Sequence, residues 1–160
     1  MDTVSTSTSP LSPGAQAVLD YIRAQDWVTY VEIEKVLAPY IQVAGEGDIE
    51  MGDFANVALW GGVSRAFVDT VNEVLRTQLV CRQPVSVMRY LLDGTYLTLP
   101  LAKRLRDYAK PRWLPVCFRP IERCGAQVLR PKEPRRRRKA MRAKHRGGRT
   151  RHTHAHPGRH

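Results

Sequence analysis

Residues 1–144 contain no histidine, so most of the chain lacks the commonest general acid–base side chain. Glycines occur at 45, 47, 52, 61 and 62, but their spacing matches no phosphate-cradling loop. The carboxylates from Glu46 to Asp53 do not follow the spacing of a calcium loop. No catalytic residue and no cofactor are expected, and the chain does not read as an enzyme. Cysteine is scarce. Cys81, Cys117 and Cys124 are an odd set at wide spacing, with no CxxC pair, so no metal site is expected. Reduced thiols in a cytoplasmic setting are the expectation. No apolar run approaches the roughly 18–20 residues of a membrane span. The opening stretch MDTVSTSTSPLS has neither the basic start nor the apolar core of a secretory signal. A cytoplasmic protein is expected, nucleoid-associated in a bacterial or phage host.

Positive charge is abundant but confined. Residues 1–100 carry six Lys/Arg against twelve Asp/Glu, a net −6; residues 101–131 carry eight against two, +6; residues 132–160 carry twelve against one, +11. The basicity therefore belongs to the C-terminal third, the pattern of a basic arm joined to an acidic body. Arginine outnumbers lysine by 20 to 6, which suits bidentate phosphate recognition and is also what a GC-rich genome produces.

Four helices and a hairpin are expected. After a flexible lead over 1–12, Ser12-Pro13 caps a helix running to about Gln25, with Ala15, Val18, Leu19 and Ile22 on one face. Thr29 and Glu32 have capping-box spacing ahead of a second helix from about Tyr30 to Ile41. Residues 42–60 read as a long acidic loop. Ser64 caps a third helix to about Thr77, its stripe formed by Phe67, Val71, Val74 and Leu75. VSVMRYLL and TYLTL flank Asp93-Gly94, a pair that favours a tight hairpin turn, and Leu79–Arg82 is a further candidate strand. Leu101–Lys110 has the spacing of a short amphipathic helix, and 111–131 reads as irregular or extended.

Helix, short strand, helix, helix and hairpin, carried by PGAQAVLDYIRAQDWVTYVEIEKVL, SRAFVDTVNEVLRTQLV and VMRYLLDGTYLTL, resembles the winged helix-turn-helix family over about 13–99. The resemblance implies an α+β domain at 13–100, with three helices and a β-hairpin wing, followed by a basic extension over 101–131 and a disordered tail over 132–160. It also implies that the third helix enters the DNA major groove while the wing touches the backbone or minor groove. The outward set on that helix is Arg65, Asp69, Asn72, Glu73 and Arg76. Arg65 and Asn72 are base-reading candidates, whereas the spacings Arg65–Asp69 and Glu73–Arg76 favour intrahelical pairing. Arg89 and Arg82 would be wing contacts. Lys103, Arg106 and Lys110 would form the basic side of the fourth helix, extended by Arg112 and Trp113. Many regulators of this architecture act as homodimers, although no dimerisation helix is evident.

The strongest binding signal is Arg135, Arg136, Arg137, Arg138 and Lys139, continuing through Arg142, Lys144, Arg146, Arg149 and Arg151. The run cannot build a core, and it contains no aromatic ring on which bases could stack. Sequence-independent, salt-sensitive contact with phosphates follows; a membrane partner is not expected, since no apolar face is present to insert. His145, His152, His154, His156 and His160 lie in the same stretch. Their protonation in mild acid would strengthen polyanion binding, a reading preferred to a metal site. Nucleic acid is the expected partner, DNA ahead of RNA, for a small transcriptional regulator. The alternatives are an interaction module whose acidic domain docks a protein while the tail holds nucleic acid, and an RNA- or ribosome-associated factor.

Overall fold

The computed structural model describes residues 9–125 and 129. The first helix, α1 (Pro13–Gln25), begins where the Ser12 hydroxyl accepts the Ala15 N–H and proline occupies the first turn. In α2 (Tyr30–Leu37) both halves of the capping box are made: Glu32 N–H donates to the Thr29 hydroxyl, and Thr29 N–H donates to the Glu32 carboxylate. The helix stops short of Ile41 because Pro39 has no N–H to continue the ladder. A third helix, α3 (Arg65–Arg76), is capped by Ser64.

The segment read as an acidic loop is a β-hairpin. Strands β1 (Ala44–Glu50) and β2 (Val57–Val63) pair antiparallel, with Ala44 and Gly47 both set against Val63. Glycine is required at this irregularity, since a Cβ on Gly45 would lie 2.6 Å from the Ser64 Cα and one on Gly47 would lie 2.7 Å from the Val63 carbonyl oxygen. After α3, strand β3 (Val80–Pro84) confirms the candidate strand at 79–82 with a shifted start.

The hairpin wing placed on 85–99 is absent. Residues Val87–Asp93 form α4, capped by Ser86, and Gly94 ends it in the left-handed region at φ 84°. Glycine immediately after a helix is its ordinary terminator, so Asp93-Gly94 is here a helix end rather than a turn between strands. The fourth helix expected at 101–110 is also absent: Leu101 forms an isolated parallel bridge with Trp113, and 103–110 is a bent loop. Nor is the following stretch an irregular extension. Strand β4 (Arg112–Trp113) adds parallel to β2, and β5 (Val116–Pro120) pairs antiparallel with β3 along its length, before a 3-10 turn at Ile121–Arg123.

The result is an α+β fold of four helices and two small sheets, β1-β2-β4 and β3-β5, among the described residues. Val28, between α1 and α2, bridges to Phe118 on β5. This arrangement is compatible with a winged-helix-like fold. Its centre is aromatic: Tyr30, Trp60, Phe67, Tyr90, Trp113 and Phe118 are all buried. Trp60 lies 5.2 Å from Tyr90 and Tyr90 5.1 Å from Trp113, centroid to centroid, within the range of favourable ring pairs. Their polar atoms are matched. Trp60 donates to Glu34, Trp113 to the Leu59 carbonyl, and the Tyr90 hydroxyl to the Val116 carbonyl. No buried side-chain nitrogen or oxygen among the described residues lacks a partner. Trp113 and Phe118 thus tie the C-terminal strands into the same core as the helices.

The expectation of reduced thiols is corrected for two of the three cysteines. Cys81 on β3 and Cys124 beyond β5 form a disulfide with Cα atoms 6.4 Å apart, a separation suited to the bond. Sequence spacing gave no hint, since the pair is 43 residues apart and meets only because β3 and β5 are neighbours. Cys117 remains a free, buried thiol. Burial pushes it up to about 11, which leaves it unreactive.

Candidate nucleic-acid interface

On α3 the apolar stripe packs inward and Arg65, Asn72 and Arg76 are exposed, as the spacing required. The Arg65–Asp69 pair is present but loose, at 3.8 Å with side chains 93% and 67% exposed. The pairing of Glu73 with Arg76 does not occur. Glu73 instead accepts the Ser12 N–H at 2.6 Å and the Ser12 hydroxyl at 2.8 Å, placing a carboxylate at the positive end of α1. Arg76 makes no ion pair among the described residues.

Arg89 is exposed, on α4 rather than on a wing. Arg82 is drawn inward, where its guanidinium donates to the buried Tyr30 hydroxyl. Helix α4 shows what the charge-based reading overlooked. Met88, Leu91 and Leu92 stand on its solvent side at helical spacing, 57%, 44% and 83% exposed, with Tyr96 nearby in sequence and also exposed. The signal was in VSVMRYLL, whose leucines and methionine fit a helical period better than alternation.

Lys103, Arg106 and Lys110 come together with Arg104 and Arg112 on the loop 103–112. It carries five cations against the single carboxylate of Asp107. Tyr108 organises it. Its hydroxyl donates to the Arg104 carbonyl and accepts the Arg104 N–H, while the Arg106 and Arg112 guanidiniums lie 4.9 and 5.2 Å from its ring centroid. Desolvation pushes the Tyr108 phenol upward, but the Arg104 backbone N–H and the two guanidiniums outweigh it. The group therefore sits below its ordinary value, as a positive local field requires. Asp107 is already engaged, accepting the Ala55 N–H at 2.9 Å. Tyr108 N–H donates to the Ala55 carbonyl, and the Asn56 amide donates to the Tyr108 carbonyl at 2.7 Å. The loop is thereby docked on the β1–β2 turn. Arg104 escaped the sequence reading because the assumed helical phase left it between the two faces.

Sheet order then separates the signs. In β1-β2-β4 the basic loop leads into β4 at one edge, while Glu46, Asp48 and Glu50 are exposed on β1 at the other. Helix α3 packs against α1, β1 and β3.

A further cluster joins residues far apart in sequence. Asp26 accepts two bonds from Arg119, both at 2.9 Å, and a third from Arg123 at 3.4 Å; Arg119 also donates to the Gln83 amide oxygen. The Arg119 hydrogen bonds are the main force holding the Asp26 carboxyl down to about 2, against an opposing push from burial.

The candidates Arg135, Arg136, Arg137, Arg138, Lys139, Arg142, Lys144, Arg146, Arg149 and Arg151 lie outside the described residues, as do all five histidines. No group of His, Cys, Asp or Glu suited to a metal ion occurs among the described residues, and no helix there is long and apolar enough to cross a membrane. The chain matches no known family model, and neither a curated protein nor a solved structure gives a significant match.

Proposed function

We propose that this is a nucleic-acid-binding protein, favouring DNA over RNA, which acts as a small transcriptional regulator or accessory factor and not as an enzyme. The observation that carries the reading is the +11 net charge of residues 132–160 beside the −6 of residues 1–100. A segment of that density neutralises phosphates and releases condensed counterions whatever the sequence. The loop 103–112 supports the reading from within the fold. It is a cationic surface held in place by Tyr108 and by its bonds to the β1–β2 turn, through which an acidic body can meet a polyanion. Tethering by the C-terminal segment raises the local concentration of any weaker contact made by the body.

In this proposal α1, α2 and α3 are the helices of a winged-helix-like unit. The Val28 bridge, β3 and β5 are its sheet, and β1–β2 is an insertion between the second and third helices. The exposed Arg65, Asn72 and Arg76 are then the base-reading candidates. A second reading has its own observation: the solvent-facing Met88, Leu91 and Leu92 of α4 suit a protein partner, as expected of an interaction module held on nucleic acid by its basic segment.

The test is binding of the full chain to duplex DNA and to RNA of equal length across a salt series. It is compared with a full chain in which Arg135–Lys139 are changed to glutamine. Duplex DNA should bind more tightly than RNA, and the variant should lose up to about 4 from the log–log salt slope. An unchanged slope would remove the C-terminal segment from the interface.

A further inference from the structure

We infer that Trp27 is a stacking platform for an unpaired nucleobase, so that the folded body takes single-stranded nucleic acid alongside whatever the cationic segment holds. The inference rests on the nucleic-acid reading above and assigns it a ligand class and a residue.

Three tryptophans occur, and two behave as core residues do. Trp60 and Trp113 are 2% and 1% exposed, and each indole N–H donates inside the protein, to Glu34 and to the Leu59 carbonyl. Trp27 is 37% exposed, and its indole N–H has no partner among the described residues. The backbone at this position is strained. Asp26 and Trp27 both adopt positive φ, 54° and 53°, a region disfavoured for side chains with a Cβ and found where surrounding structure forces it. Here the forcing groups are visible. The Asp26 carboxylate accepts the Trp27 N–H at 2.8 Å, and the next residue, Val28, exchanges both backbone hydrogen bonds with Phe118 at 3.0 and 2.7 Å. The chain is clamped on either side of the indole.

The ring is also backed. The Arg119 guanidinium carbon lies 3.8 Å from its centroid. All three guanidinium nitrogens are occupied, Nε and Nη2 by Asp26 and Nη1 by Gln83, so the group cannot swing away to meet a ligand. It forms a rigid floor under one face of a residue that keeps 37% of its surface exposed. A planar aromatic fixed in advance loses little conformational freedom when a second ring stacks on it. Bases within a duplex are already stacked, so the fitting ligand is an unpaired base. Because every base has a π-face, little sequence preference follows.

Phosphate contacts are at hand. Arg123 is 55% exposed at the side chain and shares Asp26 through only one 3.4 Å contact.

The test uses the full chain and its intrinsic tryptophan fluorescence, with oligothymidylate, a blunt duplex of equal length and inorganic polyphosphate as probes. Oligothymidylate should quench saturably; duplex and polyphosphate should bind through charge with little quenching, since the other two tryptophans are buried. Trp27→Ala should lower oligothymidylate affinity about tenfold while leaving duplex affinity unchanged, and Trp27→Phe should retain most of it. If Trp27→Ala does not fold, the wild-type quenching and the Trp27→Phe affinity decide the matter. Oligothymidylate binding without quenching, or at full strength in Trp27→Ala, would overturn the platform and leave the nucleic-acid reading standing. Failure of every nucleic-acid probe to bind at low salt would overturn both.

Discussion

The two edges of the sheet β1-β2-β4 are built by opposite means. The β1 edge is held mainly by its own hairpin, with Ile49 its one buried side chain and Glu46, Asp48 and Glu50 in solvent. The β4 edge is only two residues long, yet it is fixed by Trp113 in the aromatic core and by a loop docked on the β1–β2 turn through Asp107 and Tyr108. One edge is a polar flap and the other an anchored cationic surface. The difference teaches that a segment's net charge does not tell which face of the fold carries it. Strand order here places β1 and β4 on opposite sides of β2, while the loop before β4 docks on the β1–β2 turn.

The anchoring can be broken. Trp113→Ala removes the ring that ties the basic edge to Tyr90 and Trp60 and should destabilise the protein by about 4 kcal/mol. Ile49→Ala on the acidic edge leaves a smaller void beside solvent and should cost about 2 kcal/mol. Chemical denaturation of the two variants measures the contrast. Equal losses would mean that the edges are equally built in.

Acid sharpens the comparison from another side. The β1 carboxylates make no ion pair among the described residues, whereas Asp26 is locked between Arg119 and Arg123. Its carboxyl titrates near 2 in the folded protein against an ordinary 3.8. A lowered folded value contributes stability that is complete above the ordinary value and is lost as pH falls through the folded one. Between pH 4 and 2 the protein should therefore lose about 2 kcal/mol at this site. Asp26→Asn should flatten stability over that window, and a pH profile unchanged from the wild type would remove the Asp26–Arg119 pair from the account.

What the sequence made legible was local. Ser12-Pro13, the Thr29–Glu32 capping box and Ser64 are signals made by residues within a turn of one another, and α1 and α3 stand where those signals put them. Strand β1 was illegible because an edge strand with a single buried side chain leaves no alternation to read, and AGEGDIE has the composition of a loop. Asp93-Gly94 misled because the same pair serves a hairpin turn and a helix end; the contacts that favour the helix, Tyr90 to Val116 and Thr29 to Asp93, join residues far apart in sequence. The basic loop has helical spacing, but Asp107 and Tyr108 are claimed by the β1–β2 turn, and that tertiary bonding overrides propensity. Of the candidate interface, the exposed α3 residues and Lys103, Arg106, Lys110 and Arg112 of the loop were readable as residue types, whereas Arg104 was not. The Cys81–Cys124 bond and the Asp26–Arg119 pair, which is 93 residues apart, were not. Contacts at such separations exist only once β3, β5 and the end of α1 have met.

The most direct test of the central claim is the salt dependence of duplex DNA binding in two full-length variants, one per edge. Changing Lys103, Arg104, Arg106 and Lys110 to glutamine should reduce the log–log slope by about 3. Changing Glu46, Asp48 and Glu50 to glutamine should leave it as in the wild type. If the loop variant keeps the wild-type slope, or the β1 variant shifts it as far, the β4 edge is not the side that meets nucleic acid.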